Sequence, residues 1–402
     1  MGRTMAPAGP GDILHLIREG AVATRRDITT ATGLSRVTVA QRVDALRGAG
    51  LVYESGPDES TGGRRPARLS LNQDHGLILT AVLDTTHAEL TASNLANEVI
   101  AACHREINIA DGGAVVLDRV VEGFRGLLKR CRRHGDSRLD GVGLSVPGPV
   151  DPRTARPSQP PLMPGWDDYD ITGHIQQAFD VPVVVENDAN ATALGEHVSH
   201  HREASPLGLI KVSTGIGCGI VVNGCILTGV DGGSGDIGHV RLDGHDDAVC
   251  TCGSRGCLAA VASGRAVAAR LSELGRPTSS GSDVRKLLQQ GDVEAGQLTR
   301  EAGRHIGRVA STLVCLINPG VLVITGDLAS PSLLAGIQES IYELSLPRAV
   351  RHLRVTLGGL GDSAAQVGLT QMVADKVLDP AAVDAQLGHH QDRRGQQSAR
   401  PG

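Results

Sequence analysis

Aromatic side chains are almost missing from this 402-residue chain: one Trp, three Tyr and two Phe, 1% of the composition. Any hydrophobic core must therefore be assembled from Val, Leu, Ile and Ala. Long apolar runs are also missing. No stretch approaches the length needed to cross a bilayer, which excludes a spanning helix and predicts no membrane partner. The N-terminus has no charged-then-apolar segment followed by a small-residue cleavage site, so a cytoplasmic location is expected. There is no disulfide framework. Of eight cysteines, Cys103, Cys131, Cys218, Cys225 and Cys315 are scattered without regular spacing. Nor is there a basic excess, because the net charge of -5 excludes a wholly electrostatic nucleic-acid binder. With 40% hydrophobic and 21% charged residues the composition is that of a soluble globular protein, and its length predicts two or three domains.

What charge there is lies unevenly. Residues 1–70 hold ten arginines against seven acidic residues on an otherwise acidic chain, which suits a small head that meets DNA locally. Apolar residues at helical spacing predict a helix over 12–19 with Asp12 as its cap. Thr24 caps a second helix, Arg25 to Ala31, which Gly33 ends. Ser35 caps a third, through about Arg47, closed by Gly48 and Gly50. Its apolar face is Val39, Val43 and Leu46, and its other face carries Ser35, Arg36, Thr38, Gln41 and Arg42. Strands at Leu51–Glu54 and Arg68–Leu71 flank a loop, with Gly62-Gly63-Arg64-Arg65-Pro66 at the base of this hairpin. The order helix, helix, capped helix, hairpin predicts a winged helix-turn-helix of the MarR-like kind over residues 1–72, bound to double-stranded DNA. Arg36 and Arg42 suit guanine edges, Gln41 an adenine edge and Thr38 a thymine methyl. Arg64 and Arg65 suit phosphates or an adjacent minor groove. The plainer alternative is a three-helix packing domain with a solvated polar face.

The densest chemistry lies further on. His239 and the run Cys250-Thr-Cys252-Gly-Ser-Arg-Gly-Cys257 supply an imidazole and three thiols, the N/S donor set of a closed tetrahedral zinc site. Gly253 and Gly256 allow the loop to fold tightly. Four protein ligands leave no open position for water, so the Zn2+ is expected to be structural. The alternative is three cysteines buried in a glycine-rich turn.

Between these features the pattern alternates strand and helix. Strands are expected at 77–83, 88–92, 99–102, 141–146, 181–185, 207–212, 220–222 and 321–325. Helices are expected at 114–133, 171–179, from about 190 to 197, at 258–273 and at 296–316. Two successive sets, each opening with antiparallel strands and continuing as strand-helix units, predict a duplicated α/β body with a cleft between two lobes. The body should span residues 76–378, with a smaller lobe at about 76–195 plus the C-terminal helix and a larger lobe at about 196–365. Residues 379–402, rich in Gln, Arg, Gly, Ala and His, are expected to form a disordered tail.

Six segments together carry a resemblance: Gly62 to Pro66, Ser145-Val146-Pro147-Gly148-Pro149-Val150-Asp151, Glu186-Asn187-Asp188-Ala189-Asn190, the loop Ser213 to Gly219, Gly235-Asp236-Ile237-Gly238-His239, and the cysteine cluster. With them the chain resembles the ROK family of repressors and sugar kinases. The resemblance implies an actin-like, ribonuclease-H-like two-lobe sugar-kinase fold. It implies a sugar site at Gly148, Asn187, Asp188, Asp236 and His239, with Asp188 at the position of the catalytic base. It also implies a homodimer or homotetramer. Asn187-Asp188 can alternatively be read as a helix cap at a strand-to-helix turn.

This sequence departs from the kinase pattern. Asp236 replaces a longer carboxylate, and Ala259 stands where a sugar-binding Glu is usual. In Asp84-Thr85-Thr86-His87-Ala88 both glycines of the first phosphate loop are replaced. Thr325-Gly326-Asp327 keeps one glycine of the adenosine turn. The expectation is a DNA-binding transcriptional regulator, a repressor of carbohydrate genes at a palindromic operator. Its body would sense a sugar or sugar phosphate, and Asp188 would be vestigial as a catalyst. The alternatives are an ATP-dependent sugar kinase that retains a DNA-binding head, and a regulator that has lost sugar sensing.

Overall fold

A computed structural model describes residues 8–55, 67–132 and 138–388. Its head opens with helices Pro10–Arg18, Arg25–Thr32 and Arg36–Gly48, followed by strands Val52–Ser55 and Arg68–Leu71 paired antiparallel. The local chemistry is that read from the sequence. The Thr24 hydroxyl accepts from the Asp27 N–H, Gly33 closes the second helix in the left-handed region, and Ser35 accepts from the Thr38 N–H. Asp12 is not the first cap. It stands one turn in and accepts the Gly9 N–H at 2.7 Å, as an acidic third residue does in a capping box. Gly62 to Pro66, with Arg64 and Arg65, lies outside the described residues.

The body is built on two five-stranded sheets of the same topology. In one, Gly76–Leu83 is central, with His87–Ser93 and then Val99–Glu106 on one side, each antiparallel to its neighbour, and Arg138–Val146 and Val183–Asn187 parallel on the other. In the second, Leu207–Val212 is central, flanked by Ile216–Val222 and Cys225–Ile226, and by the parallel Val321–Thr325 and Arg354–Leu357. The mixed α/β duplication expected from the pattern is therefore present. The near absence of aromatics is distributed unequally. Phe124, Trp166, Tyr169 and Phe179 gather in and against the core of the first lobe, whereas among the described residues the core of the second holds no aromatic side chain. Buried Trp166 satisfies its indole N–H on the Ile109 carbonyl at 2.8 Å.

Some elements were not legible. The single helix expected at 258–273 is two, Leu258–Ala262 and Gly264–Glu273, because Ser263 leaves helical geometry to cap the second. Helices Gly281–Gln289 and Pro331–Leu344 and strand Arg354–Leu357 were not anticipated.

Two helices join the lobes. Asp188–His200 packs on strand Ile216–Val222 and crosses helix Ala364–Val377. At the crossing a Cβ on Gly195 would lie 1.9 Å from the Ala364 carbonyl oxygen, and one on Gly368 1.9 Å from that of Ala191. Only glycines permit this approach.

The chain beyond 378 corrects the expected tail. Residues 380–388 are helical, and Leu378, Val383 and Leu387 complete the core of the head beside Ile13, Leu14 and Val43. Val383 and Leu387 are one helical turn apart, a short apolar signal hidden in a polar composition. Polar links accompany it: Gly11 N–H donates to Asp384 Oδ1 at 2.7 Å, and Arg18 pairs with Asp375 at 2.5 Å. Only the residues beyond 388 of that segment lie outside the described chain.

Candidate effector cavity, metal cluster and nucleic-acid interface

The strands of both sheets end at one cleft, as open α/β folds place their sites. Asp84, Pro147, Asp188 and Ser213 each follow a strand terminus directly, and all line one cavity together with Gly148, Asn187, Lys211, Asp236, His239, Ala259 and Arg265. The expected sugar residues are thus brought together. Asn187 is also the helix cap that the alternative reading proposed. Its Oδ1 accepts from the Ala189 and Asn190 N–H groups, and its Nδ2 donates to the Gly148 carbonyl at 2.9 Å. Cap and pocket are one device, because the capping amide fixes the Pro147–Pro149 turn against the helix.

Asp188 is not an unencumbered base. Its Oδ2 lies 2.5 Å from the Lys211 ammonium, and both side chains are less than one-fifth exposed. Burial works against the lysine charge, and Asp188, with Asp84 and Asp327 beyond it, outweighs that and holds Lys211 above its ordinary value. Lys211 was missed in the sequence. Its signal is a lone cation at the penultimate position of the apolar run Leu207–Val212, two residues before the glycine loop. Asp236 lies in the same wall, where burial raises its carboxyl and His239 opposes that shift. Ala259 offers a buried methyl.

A second cavity adjoins the first through Asp84, Lys211 and Thr214 and takes in Thr86, His87, Arg285, Asp327 and Asp362. Here the turn after strand Gly76–Leu83 is closed by Asp84, which accepts from both the N–H and the hydroxyl of Thr85. Thr86 and His87 are not among the residues with positive φ. Arg285 grips Asp362 through two nitrogens at 3.0 Å each and Asp327 at 3.1 Å.

His239 ends a short 3-10 turn, Ile237–His239, and meets Cys250, Cys252 and Cys257 with all four donor atoms within 4.8 Å of one another. Its Nδ1 lies 3.7 Å from Cys250 Sγ, and Cys252 and Cys257 are 3.8 Å apart. Gly253 and Gly256 take φ of +86° and +73°, which folds the loop back on itself. The thiols share their protons unequally. Burial opposes ionisation at Cys252, but Ser254 and the neighbouring thiols bring it down to about 6. At Cys257 burial and the other two thiols push it up to about 12. A cation among them would draw off the remaining protons. The donor set and spacing fit a metal ion.

On the head, Ser35, Arg36 and Gln41 are exposed on the third helix, as expected, with Thr38 half-buried and its hydroxyl 2.9 Å from that of Ser35. Arg42 is half-buried, and its Nη1 has no hydrogen-bond partner. Val37, 66% exposed, was not singled out, although it lies off the Val39–Val43–Leu46 face. Arg25 and Arg47 are engaged with Asp44 and Glu54. Among the described residues, the arginines of the head without an ion pair, Arg26, Arg36 and Arg42, lie on its second and third helices.

Residues 86–376 match the model of the ROK family. The chain belongs to that family. ROK relatives fall into two groups that differ in how much of this chain they cover. The xylose repressor of Bacillus spizizenii is 26% identical over 370 residues, 91% of this chain and 95% of its own. The glucokinase of Halalkalibacterium halodurans is 30% identical over 293 residues, 68% of this chain and 87% of its own. Among solved structures, a ROK transcriptional regulator described as a homologue of the Escherichia coli MLC protein superposes with a TM-score of 0.79 at 24% identity, over 93% of this chain and 97% of its own. That likeness shows the fold, head and body together. Among the described residues, no helix is long and apolar enough to cross a membrane.

Proposed function

We propose that this ROK protein is a DNA-binding transcriptional regulator, a repressor of carbohydrate genes whose body responds to a sugar ligand. The observation that carries it is coverage: the relative that accounts for both head and body is named a repressor, and the glucokinase spans a smaller share. The open arginines on the second and third helices of the head support DNA contact. The head would bind as a two-fold dimer, alone or within a tetramer, to a palindromic operator with half-sites one turn or a multiple apart.

The kinase reading loses support at the reacting centre. Phosphoryl transfer needs a base for the sugar hydroxyl and a cradle for nucleotide phosphates. Asp188 is paired with Lys211, Thr86 and His87 occupy the first loop, and Asp327 and Asp362 bring negative charge to the neighbouring cavity. The His239–Cys250–Cys252–Cys257 cluster would hold a structural Zn2+, fixing the loop that presents His239 to the cavity. Metal analysis of freshly purified protein should find one equivalent, lost in Cys252→Ser together with thermal stability.

Ligand occupancy would reach the head along named elements. Asn187 and Asp188 start the helix Asp188–His200, which locks onto Ala364–Val377 through Gly195 and Gly368, and that helix leads into residues 380–388 in the core of the head. A ligand acts on DNA only through a difference in affinity between two arrangements. Anisotropy titrations of the promoter region upstream of the protein's own gene, with and without a sugar panel, test the reading. Tight, salt-sensitive and sugar-responsive binding is expected. Equal affinity for scrambled DNA, or brisk sugar-dependent ADP release, would overturn it.

A further inference from the structure

The two cations of the effector cavity are in different states. Lys211 is bound to Asp188. Arg265 also lines the cavity, is half-buried, and has neither a hydrogen bond nor an ion pair among the described residues. The other half-buried arginines that meet carboxylates, Arg18, Arg25, Arg156 and Arg285, show the usual arrangement in this molecule. A guanidinium drawn partly out of water without a counter-charge is costly to maintain. Two further half-buried arginines meet no carboxylate: Arg105 donates to the His104 carbonyl, and Arg42 lies on the helix assigned to DNA.

The backbone that carries Arg265 is held in place. Arg265 is the second residue of helix Gly264–Glu273, which Ser263 caps by accepting from the Ala266 N–H. Gly264 N–H donates to the Ser213 carbonyl at 2.7 Å, and a Cβ there would lie 2.6 Å from that oxygen. The helix start is thereby seated against the glycine loop, and Arg265, the next residue, lines the cavity that Ser213 and Thr214 also line. The carboxylates Asp84 and Asp188 gather around Lys211, and none reaches Arg265.

We propose that the effector is a monosaccharide carrying an anionic group, a phosphate ester or a carboxylate, and that Arg265 is the residue that selects it. The inference rests on the reading of this cavity as a sugar site. Phosphate and carboxylate both present two oxygens to the fork of a guanidinium, which gives orientation as well as charge. The sugar hydroxyls would then face Asp188, Asp236 and His239, and the anion would supply the counter-charge that Arg265 lacks.

Calorimetry on the full-length, metal-loaded protein tests this with hexoses and pentoses, their terminal phosphates, the corresponding aldonates, and inorganic phosphate. At least one anionic sugar should bind about tenfold or more tightly than its neutral parent and than inorganic phosphate. Arg265→Gln should remove that preference, and Arg265→Lys should keep part of it, which separates loss of selection from loss of fold. Phosphate esters and aldonates, run as separate arms, identify the anion. Neutral sugars that bind as well as anionic ones, or a preference that survives Arg265→Gln, overturn the assignment while leaving sugar sensing intact. Inorganic phosphate that matches every anionic sugar also overturns it. Silence toward every sugar, neutral and anionic, removes the sugar-sensing reading itself.

Discussion

At the scale of single residues, the site is a set of side chains each engaged twice. Asn187 caps a helix and holds the Gly148 turn, His239 reaches the thiols and lines the cavity, and Lys211 faces both cavities. Removing one partner from the Lys211–Asp188 pair leaves a charge partly out of water. Lys211→Met should therefore destabilise the protein by about 1–3 kcal/mol, and adding Asp188→Asn should recover much of that loss in a double-mutant cycle read by denaturant unfolding. Titration offers a second case. His75 lies in the segment between head and body, hydrogen-bonded to the Gly50 backbone, with Nε2 buried and unpartnered. Burial lowers its pKa below 6.5, Asp140 opposing and Arg138 assisting. The neutral form is the folded one, so its contribution is complete above 6.5 and is lost as pH falls toward the depressed value. Melting temperature should drop from pH 7.5 to 5.5 with a smaller slope in His75→Gln than in the parent. In the sequence the cysteines announce themselves by their spacing, and Asn187-Asp188 stand out through the family resemblance. Sequence reasoning missed Lys211 and Arg265, since a single cation carries no pattern until the fold shows what surrounds it.

At the scale of elements, capping and period were legible wherever an element stands on its own local signals. The three head helices are the clearest case. Replacing the cap of the third helix, Ser35→Ala, should cost about 1 kcal/mol of head stability, measured by urea unfolding, and should weaken operator binding by loosening the exposed face that carries Arg36 and Gln41. The elements that went unread, Gly281–Gln289, Pro331–Leu344 and Arg354–Leu357, are defined by what they pack against. Gly336 approaches the Arg300 carbonyl so closely that a Cβ would lie 2.1 Å away. In the sequence that glycine reads as an interruption, and in the fold it is the contact. Ser263 shows the opposite error: an apolar stretch continues across it, and only its capping bond to Ala266 divides one helix into two.

At the scale of the whole molecule, the duplicated sheets were visible from the repeated order of strands, whereas the closure of the head by residues 380–388 was not. Composition is a poor guide to nine residues of which only Val383 and Leu387, with Leu378 just before, enter a core. Ending the chain after Asp379 should expose the faces of Ile13, Leu14 and Val43, lower the stability of the head measured by hydrogen exchange, and reduce operator affinity while leaving the metal content unchanged. The same contact sets an order of events during synthesis. The head emerges first, but its interior is finished by a helix made after the whole body, with Asp384 reaching back to Gly11. The reader should therefore reach its full stability only once residues 380–388 have been made, after the whole of the body between them and the head.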